Sequence, residues 1–232
     1  MPDNLNTMRY LFCFFLLIES LWPNHGHAQA QLPVKQEPRH RNVFENGFLR
    51  ILDVHILPKD TTLFHYHSTP SVIVIFTNSK LSTEASGESP ESGHTVPGSV
   101  TYAAFDVSPV YHRVINNDTA EFHVMDIELL GKAAETKGPV FHESDIIPAW
   151  QENRVNTYTI FAESGQVVKK SNSPTPMLLI CITGSGTITV GNSTSPVAIS
   201  SGNYFWIDRG SGFQLTGQSI PGSGYVLLDL NQ

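Results

Sequence analysis

The chain has 232 residues, 40% of them hydrophobic and 15% charged, with a formal net charge of −7. An acidic balance with no basic run argues against nucleic acid and anionic lipid as partners, because both are held through clustered lysine and arginine. Two cysteines, Cys13 and Cys181, are too few for a disulfide-stapled scaffold.

Arg9 precedes an apolar run over residues 10–18 (YLFCFFLLI), and Ala28-Gln29-Ala30 has the small-x-small form of a signal-peptidase site. Residues 1–30 are therefore predicted to be a cleavable signal peptide, cut after Ala30, with the mature protein secreted or periplasmic. The run is short for a bilayer span, and Cys13 lacks the small residue that precedes a lipidated cysteine. A mature N-terminus upstream of Gln31, read by intact mass, would contradict this. The mature chain, 31–232, carries 13 basic and 19 acidic residues, a net of −6, and is long enough for one large or two small cores. Cys181 then has no partner, and its apolar surroundings predict a buried, inert thiol.

Strand patterns recur along the mature chain, while helical periodicity is nearly absent. Residues 48–57 (FLRILDVHIL), 71–76 (SVIVIF), 99–105 (SVTYAAF) and 122–130 (FHVMDIELL) are rich in β-branched and aromatic residues and bounded by Pro, Gly, Asn and Ser. The polar stretch 82–97 reads as a long exposed loop. Residues 131–150 break the pattern with charges, Gly and Pro. A second set follows at 156–161, 177–182, 187–190, 203–208 and 224–230. Strand set, connector, strand set predicts two similar all-β domains: 31–131, a connector over 132–150, and 151–232.

His65-Tyr66-His67 lies where the pattern is extended. Side chains two apart on a strand share a face, so His65 and His67 project together, as two ligands of one metal ion must. Tyr111-His112-Arg113 offers a third imidazole from a distant strand. The two halves also align. His65-x-His67 followed by Ser71 and Asn78 matches Ser171-x-Ser173 followed by Met177 and Gly184, and Pro97-Gly98-Ser99 matches Ser201-Gly202-Asn203. This spacing suggests an internal duplication.

These features resemble the cupin superfamily, and the two halves together resemble a bicupin. The first cupin motif is Gly, five residues, His-x-His, three or four residues, Glu, six residues, Gly. His65 and His67 match it, while Lys59, Ser71 and Asn78 stand at the first Gly, the Glu and the last Gly. Pro97-Gly98 with His112 and Asn116 is similar to the second motif, at a slightly longer spacing. The resemblance implies two double-stranded β-helix (jelly-roll) barrels in tandem. It also implies one divalent metal, Fe(II), Zn, Ni, Cu or Mn, on His65, His67 and His112, with His55, Ser71 and Asn116 as candidate supports behind those ligands. With Ser71 in place of the glutamate, the site should keep nearly the full +2 of the ion and an extra open position. In the second half Ser171, Ser173, Met177 and Phe213 stand at the ligand positions and suit no such metal. His123 reads as structural, and of Tyr102 and Phe105 at most one can line the pocket.

The implied activity is dioxygenase-like oxidation of a small oxygen-rich organic molecule chelated to the metal, with metal-assisted hydrolysis or isomerisation as rivals. The alternative is a non-catalytic binding module. A storage role fits poorly with three retained histidines and ordinary Asn and Gln content. The expected partners are a small molecule and, at most, a second copy of the chain (monomer or homodimer), with no nucleic acid and no membrane after signal cleavage.

Overall fold

The computed structural model describes residues 31–231, so the expected signal peptide lies outside the described residues. The first half contains β1 (Leu32–Pro33), a 3-10 turn (Val34–Gln36), β2 (His40–Glu45), β3 (Leu49–Ile56), β4 (His65–His67) and β5 (Ser71–Ile75). It continues with β6 (Lys80–Ala85), β7 (Glu91–His94), β8 (Val100–Ala103), β9 (Val110–Asn116) and β10 (Phe122–Leu129). The second half contains β11 (Ile146–Glu152), β12 (Val155–Ala162), β13 (Val167–Lys170), β14 (Met177–Thr183) and β15 (Ser185–Val190). It ends with β16 (Val197–Ser200), β17 (Tyr204–Ile207), β18 (Phe213–Gly217) and β19 (Ser223–Leu230).

These strands make four sheets, two per half. The first barrel is formed by the sheets β1-β4-β9-β6-β7 and β2-β3-β10-β5-β8, the second by β11-β12-β19-β14-β17 and β13-β18-β15-β16. The order β2-β3-β10-β5-β8 repeats in β11-β12-β19-β14-β17, which is the predicted duplication seen as topology. The turn glycines repeat as well. Gly98 and Gly202, before β8 and β17, both have φ +84°, and their N–H groups donate to Ile75 O and Cys181 O on the paired strands. Lys59, at the position of the first motif glycine, keeps the left-handed backbone at φ +63°, where an L side chain costs about 1–2 kcal/mol.

The two duplicated sheets pack on each other, so their central strands are buried on both faces. On β10, Phe122 and Val124 face the interior of the first barrel, while Met125, Ile127 and Leu129 join β14 and β19 through Leu178, Ile180 and Leu228. Strands buried on both faces need apolar residues at nearly every position. This explains why 71–76, 177–182 and 224–230 read as continuous apolar runs rather than alternating ones. Expelling water from the shared layer stabilises the fold by about 25 cal/mol per Å² of apolar surface.

The structure corrects two sequence expectations. The stretch 82–97 is not one loop: β6 pairs with β7 in a hairpin, and β7 is an exposed edge strand whose polar residues never meet a core. The connector is also shorter than 132–150, since β11 begins at Ile146 and pairs with β12. Pro148 concealed this strand. The register shifts between Pro148 and Trp150, and β11 lies at a sheet edge, where a missing N–H is tolerated.

Candidate metal centre

Both sheets of the first barrel contribute to one buried cluster. Period-2 alternation on β4 turns His65 and His67 inward, where they are buried. Antiparallel pairing sets His112 of β9 directly opposite His65. The ring centroids of His65 and His67 lie 4.9 Å apart, and that of His112 lies 4.8 and 5.0 Å from them. The three histidines expected from sequence are thus brought together.

Two further groups were not foreseen. His40, at the start of β2, places its ring 4.6 Å from His65, and ligand atoms of His40, His65 and His67 all lie within 4.8 Å of one another. Asp126, on the inward face of β10, is buried, with Oδ2 3.4 Å from His67 Nδ1. The carboxylate missing at Ser71 is therefore supplied from the adjacent strand, since Asp126 pairs with Ile73 of β5. This overturns the expectation of a site without a carboxylate. Burial pushes the Asp126 carboxyl up, but His67, the Ser71 hydroxyl and His40 outweigh it and hold it below the usual carboxylate range. Ser71 is buried, and its hydroxyl donates to the Thr69 carbonyl at 3.2 Å.

Glu37, also buried, organises the ligands from behind. Its Oε2 lies 2.7 Å from His40 Nδ1, and its Oε1 accepts from the N–H of Leu63 at 3.1 Å. The carbonyl of Leu63 accepts from His65 Nδ1 at 2.8 Å. One carboxylate thereby fixes the ring orientation of two imidazoles and leaves each Nε2 free to face the cluster, an arrangement common behind metal-bound histidines. Burial raises the Glu37 pKa, but His40 and the backbone N–H groups of Leu63 and Arg39 dominate and bring it to about 2.

His55 and Asn116 do not support the site. His55 is on the opposite face of β3 from Val54 and Ile56. Its nitrogens meet Glu121 and Asp53, and its ring stacks on His123 at 4.2 Å. His123 in turn meets Asp53 Oδ1 at 2.8 Å, while Arg41 donates to Asp53 Oδ2. The Asp53–His55–His123 group is close enough to hold an ion, but these partners already occupy both carboxylate oxygens and the facing ring nitrogens. Asn116 staples a turn instead, its Nδ2 donating to the carbonyls of Ile56, Leu57 and Ala120. Phe105 faces the cavity with its ring 4.7 Å from His67, and Tyr102 packs toward Trp150 in the layer between the barrels. Arg113 points away from His112, toward Glu84 and the Phe64 ring.

The chemistry of the cluster fits a divalent metal. His65 Nε2, His67 Nδ1 and both Asp126 oxygens are buried without a hydrogen-bond partner, and each such group costs about 1–3 kcal/mol. Burial, with the neighbouring imidazoles, lowers His65 to about 3, and burial lowers His112 to about 4. Both rings are therefore neutral near pH 7, with lone pairs available to a metal. The same shifts set a pH response. Between about pH 3 and 6.5 the unfolded chain binds protons that the folded state refuses, so stability rises with pH in that window. The melting temperature of metal-free protein should fall steadily from pH 7 to pH 4; a flat profile would contradict the burial of these rings.

The second barrel is filled where the first is hollow. Met177 and Phe213, at ligand-equivalent positions, are buried in a core with Tyr158, Leu179, Cys181 and Tyr225, and residues 151–232 include no histidine. Burial drives the Cys181 thiol up to about 12, as expected of an inert core cysteine.

No family model matches the chain, and no curated protein does. Solved structures do. AerE from Microcystis aeruginosa superposes with a TM-score of 0.57 at 9% identity, covering 84% of this chain and 99% of that one. A salicylate 1,2-dioxygenase from Pseudaminobacter salicylatoxidans gives 0.56 at 8% identity, covering 79% and 71%. Procruciferin, an 11S globulin from Brassica napus, gives 0.57 at 10% identity, covering 80% and 77%. A dioxygenase and a globulin match equally well, so the likeness speaks for fold and not for activity. The chain thus has a fold of two cupin-type jelly-roll barrels in tandem, and its histidine cluster fits a metal-dependent protein of that fold.

Proposed function

We propose that the first barrel is the active site of an exported, metal-dependent oxidoreductase of dioxygenase type acting on a small molecule. The observation that carries this is the set of buried nitrogen and carboxylate atoms, without hydrogen-bond partners, on residues that line an apolar cavity. His40, His65, His67 and His112 would hold the ion, with Asp126 as a neighbouring carboxylate. When bound, a redox-active divalent metal supplies Lewis acidity and a place to activate dioxygen.

The chain's own residues do the rest. Glu37 holds His40 and His65 in orientation through direct and relayed hydrogen bonds. Asp126 offsets one positive charge, and its depressed pKa makes it a charge-bearing group and not a proton acceptor. Phe105 and the aliphatic wall exclude water, which strengthens every electrostatic interaction inside. His65 and His112 are likewise pushed well below neutral pH. Neutral imidazoles at His65 and His112 offer lone pairs to a redox-active ion, which favours oxidation at a metal as the first reading.

The same apolar cavity beside the cluster supports a second reading, a binding module without turnover. Oxygen consumption by protein reconstituted separately with Fe(II), Cu, Ni and Mn, across catechols, diketones and thiols, decides between them. Uptake that requires both metal and organic substrate is expected; tight metal binding with no uptake under any combination would leave the binding module.

A further inference from the structure

We propose that the first barrel selects a small molecule whose body is uncharged and largely apolar, with a single polar head turned toward the histidine cluster. The placing of that head rests on the metal reading above; the apolar body rests on the cavity alone. The cavity holds about 230 Å³ and runs from the histidines between the two sheets of the barrel. Cavities of about 150 Å³ accept benzene, so a ring with a short substituent fits within this one.

Beyond the histidines and Asp126 its wall is aliphatic and aromatic: Val54, Ile56, Ile73, Val114, Phe122 and Val124 among others. Its two remaining polar residues offer a ligand little. The Thr95 hydroxyl donates to Thr77 O at 2.8 Å and accepts from the N–H of Ser79 at 2.9 Å, so it is already committed. Thr83 is exposed.

No lysine or arginine lines the cavity, and the arginines of the first barrel nearest in sequence to its lining are engaged elsewhere. Arg39 is bound by Glu37 and Asp60, Arg41 by Asp53, Arg50 by Glu45 and Glu128, and Arg113 by Glu84. Apart from a bound ion, whose charge Asp126 partly offsets, an anionic group would find no countercharge in the cavity, and in the metal-free barrel it would meet the buried carboxylate of Asp126. Moving an unpaired anion into such surroundings is strongly unfavourable, whereas an apolar body gains about 0.8 kcal/mol per buried methylene. The chelating, oxygen-rich substrate expected from sequence is thereby narrowed to one polar head on an apolar body.

Acetophenone and benzoate test this, because they share shape and differ in charge. Each is titrated into the full mature chain, metal-free and Co(II)-loaded, with melting temperature and calorimetry as readouts. In the metal-free protein acetophenone is expected to bind at least about tenfold more tightly than benzoate, a difference of about 1.4 kcal/mol, and Ile75→Phe, which fills the cavity from β5, should remove the response. Equal or tighter binding of benzoate to the metal-free protein, binding of neither, or an acetophenone response that survives Ile75→Phe would overturn the proposal. Failure of the metal reading shows separately, as the absence of Co(II) visible bands on loading. In that case the metal-free titration, with benzene added as a headless probe, still decides the ligand class.

Discussion

His65→Ala protein, purified without chelator or a nickel column, should carry no metal by mass spectrometry, while the parent chain carries it. The reason lies in geometry. His65 is fully buried, its Nδ1 is tied to the Leu63 carbonyl, and its Nε2 faces the cluster with no other partner. His40→Ala and His112→Ala rank the remaining imidazoles. A set built on the closest nitrogens predicts that the His40 change is the more damaging. Glu37→Gln keeps the shape but removes the charge behind His40, and a loss of about 10–100-fold in metal affinity is expected. Stability separates a metal site from a polar lining. Removing an imidazole whose Nε2 is buried and unpartnered relieves a desolvation cost that offsets the lost bond to Leu63, so metal-free His65→Ala should melt near the metal-free parent. The parent alone should then gain stability on adding metal. Metal content unchanged in His65→Ala would remove the proposed centre.

How much of this could be read from the sequence depended on whether the signal was local. His65 and His67 announced themselves through period-2 spacing, and the strands at 48–57, 71–76, 122–130, 177–182 and 224–230 were legible because burial on both faces demands unbroken apolar runs. Asp126 was hidden for the same reason. In FHVMDIELL it looks like a polar residue on an outer face, and only the alternation with Phe122 and Val124 reveals that it points inward. The motif position at Ser71 then misled, because function was tied to a slot in the sequence when the barrel needed only a carboxylate at that place in space. His40 sits in the polar segment QEPRHRN before the first recognisable strand. The one cue was Glu37 three residues earlier, a pair that meets only because the chain turns at Val34–Gln36. The edge strands β7 and β11 escaped because they meet solvent or carry proline, so neither shows the pattern that burial imposes.

The asymmetry of the halves follows from the same physics. A barrel interior must be either filled or lined with groups that something else satisfies. The second barrel takes the first solution with Tyr158, Met177, Phe213 and Tyr225, and the first barrel the other with its histidines and Asp126. A hollow barrel is the weaker folding unit, because it buries fewer apolar contacts across its centre. The shared layer compensates, since β3, β5 and β10 rest on the filled barrel as on a rigid floor.

That dependence makes Leu228→Ala the most damaging conservative change outside the site. Leu228 is fully buried on β19, paired in register with Thr157 and Leu178, in the layer that joins the barrels. Truncating a buried leucine costs about 2–5 kcal/mol through lost transfer energy and the cavity left behind. For a chain of this length the melting temperature should drop by about 5–15 °C. Val197→Ala, on the exposed strand β16, should shift it hardly at all. Because the layer belongs to both barrels, the loss should move one transition in which near-ultraviolet dichroism and metal release coincide. Calorimetry resolving two transitions, with only the second displaced by Leu228→Ala, would show that the first barrel stands without its neighbour and would remove the mechanical account of the asymmetry.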